Sequence, residues 1–443
     1  MLKRLELRNV GPASHMAIDF APRLNVLTGD NGLGKSFLLD TAWWALTRKW
    51  PQELNDDLSS GFVARPTDVA AEASITFEVE GKTGNFVSYE SAFVTDEQSW
   101  QGRSGRPWNP GLVVYALADG GFAVWDPARN YWKKKGNADI QDRAPAYVFN
   151  SKDVWDGLRI PIDGKSTQVC NGLIADWASW IRENRDDARR MALVLARLAP
   201  IGEGEVLRPG TGFKRLSVND ARDIPTVRMG YGQDVPIVYA SLGVRRITAL
   251  AYMLSWAWRE HLIAAKQLAQ EPSKRIVMLF DEIEAHLHPR WQRCIVPALL
   301  EVVQTLTGDD GAWVQLIAVT HSPLVLASVE PTFDANDDAW FDIDLEDGIV
   351  ELRKRTYVRL GEVGNWLTSE AFDLAEPRSL DGERALRAAL NVLQAKAPTL
   401  DDIEAVDKQL HEAGLPDIDP FWVRWDYFVE EAKKAQDVPQ GEP

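Results

Sequence analysis

Leu24-Asn25-Val26-Leu27-Thr28-Gly29-Asp30-Asn31-Gly32-Leu33-Gly34-Lys35-Ser36-Phe37 is the stretch on which the fold turns. Residues 24–28 carry a short buried-strand signal, and residues 37–50 place Phe37, Leu38, Thr41, Trp44 and Ala45 at helical spacing before Pro51 stops the pattern. Between them, residues 29–36 match G-x-x-x-x-G-K-[ST]. In such a loop the glycines let backbone N–H groups turn inward around a phosphate. Lys35 brings a positive charge, Ser36 brings a hydroxyl for Mg²⁺, and the helix that follows points its positive dipole end at the anion. The order strand, loop, helix makes Gly29, Asp30, Asn31, Gly32, Leu33, Gly34, Lys35, Ser36 and Phe37 candidates for holding ATP with Mg²⁺.

Three later segments carry the chemistry such a loop needs. Arg275-Ile276-Val277-Met278-Leu279-Phe280-Asp281-Glu282 is an apolar strand run ending in two carboxylates. Asp281 is placed to support the cation near Ser36, and Glu282 to polarise an attacking water as general base. Val319-Thr320-His321-Ser322-Pro323 is a second apolar run, ending in a histidine that can contact a γ-phosphate. Tyr239-Ala240-Ser241-Leu242-Gly243-Val244-Arg245-Arg246 opens a helix, where Ser241 and the helix N-terminus form an anion site with no phosphate loop of their own. Taken one at a time, these read as an acidic strand end, a surface histidine and an N-cap serine. Their order along one chain favours the catalytic reading.

In that order the four segments resemble the ABC-type, AAA-family ATPases of the RecF, SMC and OLD group. The resemblance covers about residues 1–50 and 235–330, and extends to the run Glu284-Ala285-His286-Leu287-His288-Pro289 and to the opening Leu5-Glu6-Leu7-Arg8-Asn9. It implies an α/β fold: a P-loop NTPase of ABC-ATPase head type, with a β-rich insertion and a helical C-terminal region. It further implies ATP buried between two heads, with Lys35 and Ser36 acting in cis, Ser36 and Asp281 at Mg²⁺, Glu282 as catalytic base, His321 as switch histidine, and Ser241 and Gly243 reaching the nucleotide in trans. The signature reads Ser-Leu-Gly where the group has Ser-Gly-Gly. Gln141 and Asn150 are candidates for its magnesium-sensing glutamine position, and Arg8 for a base or ribose contact. The helical end from Gly364 is similar to that of stand-alone ATPases in anti-phage defence, of the Septu and PARIS types. That implies a slow, regulatory ATP hydrolase, a homo-oligomer that scaffolds or restrains a separate effector such as a nuclease. The alternative is a RecF-like DNA-repair ATPase that binds DNA directly.

Composition narrows the classes further. The 443 residues are 45% hydrophobic and 26% charged, a globular balance with enough chain for a sizeable core. Two cysteines exclude a disulfide framework and a four-cysteine zinc site. The net charge of −16 disfavours a generic phosphate-backbone binder. Residues 401–443 hold 12 acids against 4 bases, an acidic surface suited to a basic partner. No run approaches a membrane span, so a cytoplasmic protein without membrane contact is expected.

The chain divides by pattern into an ATPase lobe with the phosphate loop and a β-rich insertion (1–165), a connecting insertion of helix and strand (166–235), the rest of the ATPase domain (236–360) and a helical acidic region (361–443). The insertion lacks sustained heptads, which argues against a long coiled-coil arm. His286 and His288 have a metal-like spacing but too few companions. Asp342 and Asp344 read as the outer face of a hairpin around Glu346-Asp347-Gly348. Trp366, Trp422 and Trp425 read as core or as interface anchors.

Overall fold

The structure is a computed structural model that describes residues 1–80, 84–102, 108–129, 144–162, 164–200, 207–395 and 398–436. It separates into two compact units, Met1–Val363 and Gly364–Pro443.

The first unit is built on an eight-stranded sheet. Its order is Ile349–Arg355, Asp338–Glu346, Leu24–Gly29, Trp313–Val319, Arg275–Phe280, Leu112–Ala116, Phe122–Trp125, Tyr147–Phe149. The five strands from Asp338–Glu346 to Leu112–Ala116 run parallel, and antiparallel strands extend both flanks. This explains the two apolar runs: a parallel strand covered on both faces buries both sets of side chains, so alternation disappears. Residues Ile276 to Phe280 are all buried, as are Val314 to Val319.

A second sheet is antiparallel, in the order His15–Asp19, Leu2–Arg8, Ser74–Glu80, Phe86–Val94, Ser99–Trp100. Between the two sheets lies the helix Lys35–Thr47. Eleven of its residues are buried, Asp40 and Thr47 among them, so it is buried on nearly every side rather than along one stripe. Trp43 and Trp44 join a core with Leu5, Phe77, Tyr115 and Ile317. The helix starts at Lys35 and ends at Thr47, where Arg48 takes φ +61°. Pro51 opens a further short helix instead of stopping the first.

On the other face, Asp186–Leu198 packs on Leu242–Gln267 and Ile295–Thr307. Residues 172–198 hold two helices, Gly172–Arg182 and Asp186–Leu198, broken where Asn184 adopts φ +47°. Residues Ile237–Tyr239 form a 3₁₀ turn, where the chain swings from Asp234–Pro236 into the cap at Ser241.

In the second unit, Leu380–Gln394, Leu400–Glu412 and Phe421–Gln436 enclose a core of Leu386, Ala389, Ile403, Leu410 and Trp425. Trp366 and Trp425 are fully buried, which makes them core. No described helix is long and apolar enough to cross a membrane.

Candidate nucleotide site

The central sheet delivers three strand ends to one place. Leu24–Gly29, Arg275–Phe280 and Trp313–Val319 run parallel, so Gly29, Asp281 and Thr320 emerge on the same edge. There a cleft of about 270 Å³ is lined by Asn31, Gly32, Gly34, Lys35, Ser36, Phe37, Asp281, Glu282, Val319 and His321. Segments up to 290 residues apart in sequence thus share one cleft. This placement follows a general rule for open α/β sheets, that ligands sit beyond the carboxyl ends of the strands.

The loop has the backbone its glycines require. Gly29, Gly32 and Gly34 take φ of +127°, +81° and +95°, a region closed to most side chains. A Cβ on Gly29 would run into the carbonyl of Ile343, and one on Gly34 would lie 2.7 Å from the ring of Pro12. Lys35 is buried, and its Nζ donates to the carbonyls of Gly29 (2.8 Å) and Asp30 (2.6 Å). Burial pulls the Lys35 pKa down, while Asp30, Asp281, Glu282 and Asp342 oppose that shift. The side chain of Leu33 turns into the core, leaving only its backbone for a ligand.

Asp281 is buried, and burial pushes its pKa up to about 6 against the stabilising hydrogen bond from Ser36 and the charge of Lys35. Its Oδ1 is buried with no hydrogen-bond partner among the described residues. An unpaired carboxylate oxygen in that position is costly. Together with the exposed Ser36 hydroxyl it offers the hard oxygen donors that suit Mg²⁺, so the residues present fit the cation. Glu282 is exposed at the cleft and holds φ +48°, a conformation found at sites where backbone strain is maintained by function. His321 is half-buried. Burial and the Lys35 charge hold its imidazole below its ordinary pKa, so it is neutral near pH 7.

Ser241 and Gly243 do not line this cleft. Ser241 is exposed and caps Leu242–Gln267, accepting a long 3.5 Å bond from the Val244 amide. Leu242, beside it, is also exposed. Gly243 packs against the loop after the base: a Cβ there would lie 2.8 Å from the His286 carbonyl oxygen. Arg246, one turn along, donates to the carbonyls of Ala118 (3.0 Å), Asp281 and Glu282 (both 3.4 Å).

Several readings change. Asp342 is fully buried, not on the outer face of its hairpin, because the Asp338–Glu346 strand pairs with Leu24–Gly29 inside the sheet. Its Oδ1 accepts from the Thr28 hydroxyl (2.7 Å), which in turn accepts from Trp340 Nε1 (2.8 Å). Burial lifts its pKa to about 6. Asn150 caps Ser151–Asp156 by accepting from the Asp153 amide, and it is absent from the cleft lining. Gln141 lies outside the described residues. Arg8 is exposed and paired with Glu6. His288 caps Pro289–Gln292, and among the described residues no group of three metal-ligating side chains occurs.

The sequence reading missed Glu284, whose carboxylate binds the Thr320 hydroxyl and the His321 amide, and it missed the bracing role of Arg246. The one signal for Glu284 was its place two residues after Glu282.

Comparison with known proteins gives a family. Residues 24–327 match "AAA domain, putative AbiEii toxin, Type IV TA system". The chain is 29% identical to "Retron Ec83 probable ATPase" of Escherichia coli over 84% of this chain and 76% of that one. It is 33% identical to "Retron Vc95 probable ATPase" of Vibrio cholerae serotype O1 biovar El Tor, over 22% of this chain and 17% of that protein. Among solved structures, an Smc head bound to the C-winged helix domain of ScpA aligns with 80% of this chain and 97% of that one, at TM-score 0.41 and 14% identity. The recombination mediator RecF aligns with 80% of this chain and 98% of that one, at 0.36 and 12%. With the family match spanning more than half its length, the chain belongs to this AAA-domain family and is an ATPase, with the P-loop α/β fold that its strand order displays.

Proposed function

We propose that this ATPase binds ATP with Mg²⁺ in the cleft at Lys35 and assembles through nucleotide held between two copies, regulating a separate effector in defence against phage. The observation that carries the site is the convergence of Lys35, Ser36, Asp281, Glu282 and His321, with Asp281 Oδ1 buried and unpartnered. Lys35, released from the Gly29 and Asp30 carbonyls, would take the β- and γ-phosphates, and the amides of residues 30–36 would wrap the anion. Ser36 and Asp281 would hold Mg²⁺, which neutralises charge on the phosphates. Glu282, exposed to the cleft, would accept the proton of the attacking water. Neutral His321 would bond a γ-phosphate oxygen. Ser241 and Gly243, exposed or bordering the base loop and away from this cleft, would meet the nucleotide of the second copy.

A slow turnover suits a regulator whose bound state is the signal. The acidic C-terminal unit and the net charge of −16 support a protein partner over a nucleic-acid backbone. The arginines of the cleft around residues 184–263 are engaged: Arg185 with Glu183, Arg190 with Asp187, and Arg259 with Asp187 and Glu260. A cytoplasmic setting fits an ATP-dependent role.

The test is size measurement by light scattering with and without ATP, on wild type and Glu282→Gln, each with and without the protein encoded by the adjacent gene. ATP-dependent self-association, sharpened in Glu282→Gln, is expected. No change in self-association or in partner binding would end the regulatory reading, and salt-sensitive DNA binding would favour the repair alternative.

A further inference from the structure

Glu284 follows the proposed base by two residues and turns away from the cleft. Its two carboxylate oxygens reach the end of the neighbouring strand: Oε1 accepts from the His321 amide at 2.6 Å and Oε2 from the Thr320 hydroxyl at 2.7 Å. Both are short bonds to a charged acceptor, the stronger class of protein hydrogen bond. A backbone bond runs alongside, from the Ile283 amide to the Val319 carbonyl at 3.2 Å. A second bridge joins the same segments, because Gln292 donates to the Leu287 carbonyl (2.8 Å) and accepts from the Ser322 hydroxyl (2.7 Å). The base loop and the switch loop are therefore laced together at two points, and Glu284 is the one bonded to the histidine's own backbone. The loop needs such support, since Glu282 and His286 both sit at positive φ, +48° and +63°.

We infer that Glu284 is a positioning residue for ATP hydrolysis: it sets the switch histidine, His321, at a fixed distance and orientation from the base, Glu282. The inference rests on the roles proposed for those two residues. Glu284 does not line the cleft, so its loss misplaces catalytic groups without removing the phosphate cradle. The cost therefore falls on kcat and not on nucleotide affinity.

The experiment uses the full chain and measures kcat and KM for ATP, with affinity for a fluorescent ATP analogue and a circular-dichroism melt, in wild type, Glu284→Ala, Glu284→Gln, His321→Ala and both Glu284 variants combined with His321→Ala. Glu284→Ala is expected to lower kcat by about 10- to 100-fold with affinity within about twofold of wild type. Glu284→Gln keeps an oxygen for the His321 amide and is expected to recover part of that loss. If Glu284 acts through His321, its substitution costs nothing more in the His321→Ala background. Full additivity of the two losses, a fall in affinity matching the fall in kcat, or Glu284→Gln no faster than Glu284→Ala would each overturn the inference. If Glu284→Ala does not fold, Glu284→Gln and its double variant carry the cycle. A His321→Ala protein with wild-type kcat would instead remove the role proposed for His321, and the positioning inference with it.

Discussion

Lys35 bonds carbonyls of its own loop, and Asp281, lining the same cleft, leaves one oxygen without a partner among the described residues. Their roles separate by mutation. Lys35→Ala removes the cation from the cradle and is expected to abolish nucleotide binding. Glu282→Gln leaves the cradle intact, so binding persists while turnover falls by about 10²-fold or more. Titration with a fluorescent ATP analogue and a phosphate-release assay check both, and equal loss of binding in the two variants would refute the division.

A second residue-scale consequence comes from Asp40, buried beneath the loop and accepting from the Tyr115 hydroxyl at 2.9 Å. Burial raises its pKa to about 7, with the Tyr115 bond opposing. Its unfolded value is about 3.9. A raised pKa means that the stability from the protonated form is complete below about pH 4 and is lost as pH climbs through about 7. Asp40→Asn removes that titration and can still accept from Tyr115. Urea unfolding from about pH 4 to about pH 8 should therefore show a flatter loss of stability in the variant than in wild type, by up to about 4 kcal/mol across the range. Asp281 and Asp342, both raised to about 6, keep a residual slope of the same sign in both proteins. Parallel curves would refute the assignment to Asp40.

At the scale of elements, the site depends on close backbone approach. The Asp338–Glu346 strand lies so near the phosphate loop that Gly29 admits no side chain, and the start of Leu242–Gln267 lies against the His286 carbonyl at Gly243. Alanine ordinarily favours a helix over glycine by about 1 kcal/mol. At Gly243 the sign should reverse, because the added carbon meets backbone that cannot swing aside. Gly243→Ala is expected to lower the melting temperature and to slow turnover, since the displaced segment follows directly on Glu282. A melting temperature at or above wild type would show that the loop yields. Ser241→Ala should act differently: its cap bond is long, so little stability is lost, well under the ~1 kcal/mol of a good cap.

For the whole molecule, the proposed sharing of a nucleotide between two copies would make each site a composite. Lys35→Ala and Ser241→Arg should each be inactive alone. Mixed together, half the dimers carry one intact site and one doubly defective site, so activity should return to about a quarter of wild type. A mixture as inactive as its components would place Lys35 and Ser241 in unrelated functions.

Much of this was legible in the chain itself. The glycine loop, the two apolar strands and the helix that opens at Ser241 could be read because their patterns are local: a loop needs glycine at set positions, and a strand covered on both faces loses its alternation. Asp342 could not be read that way. Alternation assigns it a face, but only the pairing of its strand with Leu24–Gly29 decides that this face is buried. Glu284 is the sharper case, since its meaning lies in a hydrogen bond to an amide 37 residues further on. Local sequence therefore determined which chemistry the protein carries. The tertiary structure decided how those groups are held, because hydrogen bonds and close packing between distant segments leave no periodic trace along the chain.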